Sequence, residues 1–186
     1  MTKLKIKKFP YLIPKPVAVI GAVVDEKINF ITIADLCTTG YKIPRFVISS
    51  GKGHFTNEGI IKNEQFSVNI PSIEMVAKVD YCGINSGHQV DKSDVFEVFY
   101  GDLDKAPMIK EAPITHECKL VKNIDFGDTH CLFIGEIIGT YVDEKLLEKN
   151  IPNIEKVKPF SYYYDRYYWK NGERLAEAYQ IGKKIT

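Results

Sequence analysis

Apolar and polar positions alternate along this chain in short blocks. Residues 17–24, V-A-V-I-G-A-V-V, form an unbroken apolar run rich in β-branched side chains, the pattern of a strand buried on both faces. Asp25-Glu26-Lys27 makes a polar turn, and residues 28–36, I-N-F-I-T-I-A-D-L, alternate, so the two runs predict a hairpin. Asp35 and the polar cluster Cys37-Thr38-Thr39-Gly40 interrupt the second strand. Residues 45–49 predict the next strand, 57–63 a short helix opening near Thr56, and 65–70 a strand stopped by Pro71. Ser72 is placed to N-cap a helix over 73–81, in which Ile73, Val76 and Ala77 follow helical spacing and face a sheet. Cys82-Gly83 ends that helix, and a polar loop follows.

Residues 98–112 read as a connection. Residues 114–125 alternate as a strand, Gly127-Asp128 signals a turn, and 129–142 predict a long strand with Gly135 and Gly139 as bulges or points of close approach. A short helix is expected over 143–149. Residues 1–16 form a proline-set extended lead-in that Lys15-Pro16 ends. Near the other end stand Phe160, Tyr162, Tyr163, Tyr164, Tyr167, Tyr168 and Trp169, an aromatic run suited to packing between two copies of the chain. Strands come in hairpin-like pairs, about six or seven of them, with two or three short helices. That predicts a mainly β, α+β fold, an antiparallel barrel with helices packed on it, rather than a doubly wound sheet.

Composition narrows the partners. The 186 residues suit one domain, 1–186, with a substantial core, and 45% apolar with 26% charged residues suits a folded soluble chain. A net charge of +1 gives no reason to expect nucleic acid or an anionic membrane. No apolar run reaches the length of a membrane span, and Pro10, Pro14 and Pro16 interrupt any signal core, so a cytoplasmic location is expected. The cysteines are Cys37, Cys82, Cys118 and Cys131, without a C-x-x-C pair. His116 with Cys118, and His130 beside Cys131, invite a zinc reading, but scattered thiols in such a chain are expected reduced and buried, with no metal.

Candidate chemistry centres on residues 47–71. Ser49, Ser50, Gly51, Lys52, Gly53 and His54 form a glycine-broken turn ahead of a helix, where backbone can approach an anion and the first helical N–H groups lack partners. The turn is neither a Walker loop nor a Rossmann fingerprint, and an ordinary strand–turn–helix joint also accounts for it. Thr56 serves as an N-cap, an anion ligand, or both. No triad or carboxylate pair stands out, so no catalytic residue is assigned.

Several pieces then line up in order: the I-T-I-A-D-L strand, S-S-G-K-G-H-F-T-N-E-G-I, F-S-V-N-I-P, Y-C-G-I-N-S-G-H-Q-V-D-K, D-T-H-C-L-F-I-G-E-I and the tyrosine-rich tail. The chain resembles the flavin reductase-like family of FMN-binding split barrels, flavoredoxins included, over residues 10–182. The S-G-x-x-x-D-K element from Ser86 to Lys92 is the most specific match. The resemblance implies a six-stranded antiparallel split β-barrel, a homodimer, bound FMN, and an oxidoreductase fed by NADH or NADPH. The alternatives are a tight FMN-binding electron carrier fed by a redox protein partner and a non-redox flavin-binding protein on the same fold. It places Ala34, Asp35, Leu36, Cys37 and Thr38 along the flavin ring, and Ser49, Ser50, Gly53, His54, Thr56 and Asn57 around the ribityl chain and phosphate. It adds polar contacts from Asn69 and Lys92, and it leaves room for Tyr164 or Tyr168 over the flavin and for His130 near a nicotinamide. Core packing is the simpler account of Cys37. Members often carry Arg where His54 stands and an aromatic residue where Asp35 stands; an acid beside the ring would disfavour its anionic reduced form.

Overall fold

The computed structural model describes residues 2–185. In chain order come β1 (Lys15–Pro16), β2 (Ala18–Val24), β3 (Lys27–Ile33), β4 (Leu36–Thr39), β5 (Arg45–Gly51), helix α1 (Phe55–Asn63) and β6 (Gln65–Ile70). A single 3-10 turn at Ile73–Met75 leads into α2 (Val76–Ile84), then β7 (Val98–Phe99), β8 (Met108–Ile109) and the long β9 (Ile114–Asp125) and β10 (His130–Val142). The remainder holds β11 (Leu147–Glu148), β12 (Ile151–Pro152), α3 (Ile154–Val157), β13 (Phe160–Tyr162) and β14 (Tyr168–Lys170).

The principal sheet is antiparallel and has seven strands in the order β3-β2-β6-β9-β10-β5-β4. Its two edges, β3 and β4, are consecutive in the chain. Ala34-Asp35 alone joins them, and the three steps from Ile33 to Leu36 reach no more than about 11 Å. The sheet must therefore roll until its edges meet, which makes a barrel split along one side. The strand expected over 28–36 breaks at this slit, because after Ala34-Asp35 the chain pairs with β5 instead (Leu36↔Ile48, Cys37↔Val47). That added ladder is why seven strands stand where the resemblance implied six.

The apolar runs fill two cores. Ala18, Ile20, Ile31, Ile33, Phe46, Ile48, Phe66 and Phe133 fill the barrel, joined by Ile60 from α1. Val17, Val19, Phe30, Val79, Cys82, Phe96 and Phe160 make a second core outside it, under α2 and the tail. Strand β2 feeds both, which is why all seven of its residues are buried. The register of β9 with β10 shifts at Ile134/Gly135 and at Ile137/Gly139, where the spacing predicted bulges.

Several local expectations are corrected. Ser72 starts a 3-10 turn without a side-chain cap bond, and α2 begins at Val76 and runs past Gly83 to Ile84. His54, not Thr56, is the N-cap of α1. Residues 144–146 make a 3-10 turn, followed by a strand rather than a helix to 149. Lys15-Pro16 does not merely end a lead-in but pairs with β13. Phe160 lies in the outer core with Tyr162 and Tyr168 against it, so part of the aromatic tail is engaged within one chain; Tyr167 and Trp169 stay exposed. Cys82, Cys118 and Cys131 are buried, but Cys37 is exposed, because it sits on an edge strand rather than in the core.

Candidate functional site

The turn between β5 and α1 is held from within. Ser50 is buried and donates to Asn57 Oδ1 at 2.7 Å; its Oγ also lies 3.0 Å from His54 Nδ1. Asn57 donates to the Gly51 carbonyl at 2.7 Å, and the His54 N–H reaches the same carbonyl at 3.1 Å. Ser50 and Asn57 therefore shape the turn from its inner side. Lys52 is drawn away to Asp125 at 2.6 Å and contributes little charge to the cradle. Two features leave the outer side open. No side chain caps α1; the Asn57 N–H turns to the His54 carbonyl at 3.0 Å, which leaves the Phe55 and Thr56 N–H groups at the helix start. Nothing lies within 4 Å of where a Cβ on Gly53 would stand. Glu58 in the first turn and Lys62 in the last complement the helix dipole, and Glu64 ends the helix in the left-handed conformation, φ 54°.

The second motif closes on the first. A Cβ on Gly87 would stand 2.4 Å from Phe55 Cδ1 and 2.5 Å from Asn29 Oδ1, so only glycine lets the Ser86–Lys92 loop lie this close to the start of α1. Asn29 donates to Thr56 Oγ1 at 2.7 Å, and the Phe55 and His88 rings meet at 4.8 Å. Lys92 is 2% exposed. Its ammonium donates to the carbonyls of Asn85 at 3.0 Å and Cys82 at 3.4 Å, at the C-terminal end of α2. It makes no ion pair with any described residue, and its neighbour Asp91 turns to Ser93 and Lys27. Burial lowers the pKa of Lys92, with Cys82 acting the other way. Burial, then His130 and Lys92, lowers the pKa of His54. Lys92 and His54 thus converge on the turn. Of the carboxylates nearby, Asp125 pairs with Lys52, Glu58 lies 3.6 Å from His88, and Asp91 lines the same cavity as Lys92 but turns to Ser93 and Lys27. The cavity lined by Asn29, Phe55, Gly87, His88 and Lys92 holds about 240 Å³. It suits the tail of a nucleotide-sized ligand rather than its ring.

The slit adjoins this turn. The Ser49 N–H donates to the Asp35 carbonyl at 2.8 Å, which joins the slit to the turn. Side chains of one strand alternate between faces. Ser50 points into the barrel with Phe46 and Ile48, while Ser49 shares the outer face with Val47 and Cys37. Leu36 packs on the barrel core, and Thr38 is exposed. Beside Ala34 a groove of about 550 Å³ is lined by Val17, Thr32, Gly83, Tyr162 and Tyr168, with the Tyr168 hydroxyl donating to Asp80 at 2.9 Å.

Asn69 is placed elsewhere. It is fully buried; its amide donates to the Val19 carbonyl at 3.0 Å and to Ser67 Oγ at 2.9 Å, and accepts from the Ile109 N–H at 2.9 Å. It pairs with Thr115, opposite Tyr141, far along β10 from Cys131, which faces Ser50. His130 lies 2.8 Å from Thr129 Oγ1. Burial pushes His116 down to about 4, and its ring packs on Phe46. Among the described residues, no three or more His, Cys, Asp or Glu side chains gather as a metal site. Sequence reasoning missed Asn29, Asp125 and Lys15 as neighbours of the site. Asn29 left one trace, a polar residue inside an apolar alternation.

A family profile described as the flavin reductase like domain matches residues 11–171. Among solved structures, the flavoredoxin from Methanosarcina acetivorans is 40% identical with TM-score 0.96, covering 100% of both chains. The flavoredoxin of Desulfovibrio vulgaris (Miyazaki F) is 31% identical with TM-score 0.89, covering 97% of this chain and 100% of that one. An FMN-binding protein from Thermus thermophilus with bound p-hydroxybenzaldehyde is 25% identical with TM-score 0.80, covering 95% and 97%. Among curated sequences, an uncharacterized protein of Pyrococcus abyssi is 31% identical over 54% of this chain, a stretch that spans 58% of its own length.

Proposed function

The chain belongs to the flavin reductase-like family, and on that premise we propose that it is an FMN-dependent oxidoreductase. It takes electrons from NADH or NADPH through FMN to an acceptor outside the chain, as a homodimer in the cytoplasm. FMN supplies the redox chemistry, accepting hydride and releasing electrons. The observation that carries the reading is Lys92, a buried ammonium donating to carbonyls only, where the Ser86–Lys92 loop closes through Gly87 on the start of α1. A desolvated cation without a carboxylate suits a phosphate.

The chain's own residues bind and orient. Gly53 and the uncapped start of α1 leave the phosphate its approach. Lys92 and His54 set charge against it, while Ser50, Asn57, Thr56 and Asn29 hold the turn in shape. Ala34, Asp35, Cys37 and Thr38 at the slit would hold the ring, with Leu36 anchoring β4 on the barrel core. Ser49, bonded through its N–H to the Asp35 carbonyl, would stand beside the ribityl chain. No described helix is long and apolar enough to cross a membrane.

A purified sample titrated with FMN should gain the flavin absorption bands and then consume NADH or NADPH; a protein that never takes up flavin overturns the proposal. The full-length likeness to two flavoredoxins favours a second reading, a tight FMN carrier fed by a protein partner. A flavin-loaded protein that ignores both nicotinamides but accepts electrons from a reductase would select it.

Two further results are expected at the cradle. Gly53→Val should weaken FMN by about tenfold, roughly 1.4 kcal/mol, with an unchanged Tm, because its side chain fills the approach and clashes with nothing in the fold. Equal affinity in both proteins would remove Gly53 from the site. The His54 pKa lies below its ordinary value in the free protein, and a bound phosphate would raise it. Affinity gained from His54 is then fully present below the free pKa and is lost as pH rises through the bound one. The ratio of FMN affinities, wild type over His54→Asn, should rise as pH falls from about 7.5 to 5.5. The titration of free FMN is common to both proteins and cancels; the bound phosphate, held dianionic by a protonated His54, titrates lower in the wild type. A flat ratio would separate His54 from the phosphate.

A further inference from the structure

Lys15 belongs to neither motif, yet it is 5% exposed and its ammonium pairs with Asp35 at the slit. It also lies 4.9 Å from the centre of the Tyr164 ring. That ring is wedged by Phe9 at 4.8 Å and Tyr11 at 5.7 Å, both edge-on. The Lys15 backbone is fixed by pairing with Tyr162. The N-terminal segment and the tail hairpin therefore meet on one buried ammonium aimed at one carboxylate. Burial alone would lower the Lys15 pKa, but Asp35 and Tyr164 outweigh it and hold the pKa above the ordinary lysine value, so the amine is charged at neutral pH. The Asp35 side chain is 56% exposed, and a pair open to solvent on one side adds little stability, so stability does not account for burying the lysine. Its position does: Asp35 is the one acid in the stretch proposed for the ring.

We propose that Lys15 is a positioning residue for the redox ring: by neutralising Asp35 at the slit, it removes the repulsion this carboxylate would exert on reduced FMN. Hydride transfer brings two electrons and one proton to neutral flavin and leaves one negative charge on it. An unpaired Asp35 opposes that charge, and an unpaired Lys15 favours it. The inference rests on the FMN reading above.

The test is the FMN midpoint potential of the holoprotein, titrated with dithionite against a reference dye, for wild type and Lys15→Met, Lys15→Arg, Asp35→Asn and the Lys15→Met/Asp35→Asn pair. Lys15→Met should weaken reduced FMN about tenfold relative to oxidised FMN, a fall of about 30 mV for a two-electron couple. Asp35→Asn should move the potential up by a similar amount. Lys15→Arg, which keeps the charge, and the double variant should stay near wild type. A structural role alone would lower Tm, or weaken both flavin forms equally, and leave the potential unmoved in every variant; that result overturns this inference and spares the FMN reading. Failure of the wild type to bind FMN overturns both. Should Lys15→Met not fold, Asp35→Asn decides: an unchanged or lowered potential sinks the inference.

Discussion

Gly135→Ala should cost about 3 kcal/mol of stability, the upper range for overpacking a tight core. For a chain of this size that is a fall in Tm of about 6–12 °C. Gly135 lies on β10 inside the barrel, at a register shift. A Cβ there would stand 2.2 Å from Cζ and 2.7 Å from Cε1 of Phe66, with Cys118 Cβ at 3.3 Å behind. Phe66 is wholly enclosed, so its ring cannot swing into solvent. The glycine makes room for the phenyl ring that fills the barrel's centre. Phe66→Leu in the same chain should recover part of the loss, because the two changes share one contact. Thermal melts of the two single variants and the double variant check this. An unchanged Tm in Gly135→Ala would mean that the ring has another place to go.

Lys92→Met should weaken FMN by about 10- to 100-fold, the effect of losing a charge-assisted hydrogen bond of about 1.5–3 kcal/mol. Riboflavin, which lacks the phosphate, should change by about twofold or less. The ammonium is already desolvated and held by the Asn85 and Cys82 carbonyls, so it meets a phosphate with little further ordering. Methionine keeps most of the packing of the stem. Removing the two carbonyl contacts loosens the end of α2, and this acts on both flavins alike. Fluorescence titrations with the two ligands separate the effects. Equal losses for FMN and riboflavin would make Lys92 a cap of α2 and nothing more.

Much of the barrel was readable from the chain. The all-apolar run at β2, the alternation in β9 and the glycines of β10 each describe a local environment, and local environments are what periodicity reports. The break after Ile33 was less readable. I-T-I-A-D-L alternates through Leu36, and only the choice of a new partner, β5, splits it into two strands. The cradle was readable as glycines ahead of a helix, and Lys92 through its motif. The role of each side chain was not. Ser49 and Ser50 look equivalent in the sequence, but the pleat sends one out and one in, where the second braces Asn57.

The sequence by itself determined the long strands β2, β3, β5, β6, β9 and β10, the two motifs and their kinship, because residue type and spacing act over one or two turns of chain. Tertiary structure decided what those residues face. Rolling the sheet brings Ala34-Asp35 to a slit, sets Gly87 against Phe55, draws Lys52 to Asp125 and encloses Asn69 in the core. It also leads Lys15, twenty residues before its paired carboxylate, to Asp35. Contacts between distant segments depend on how the layers close, and no local pattern carries that information.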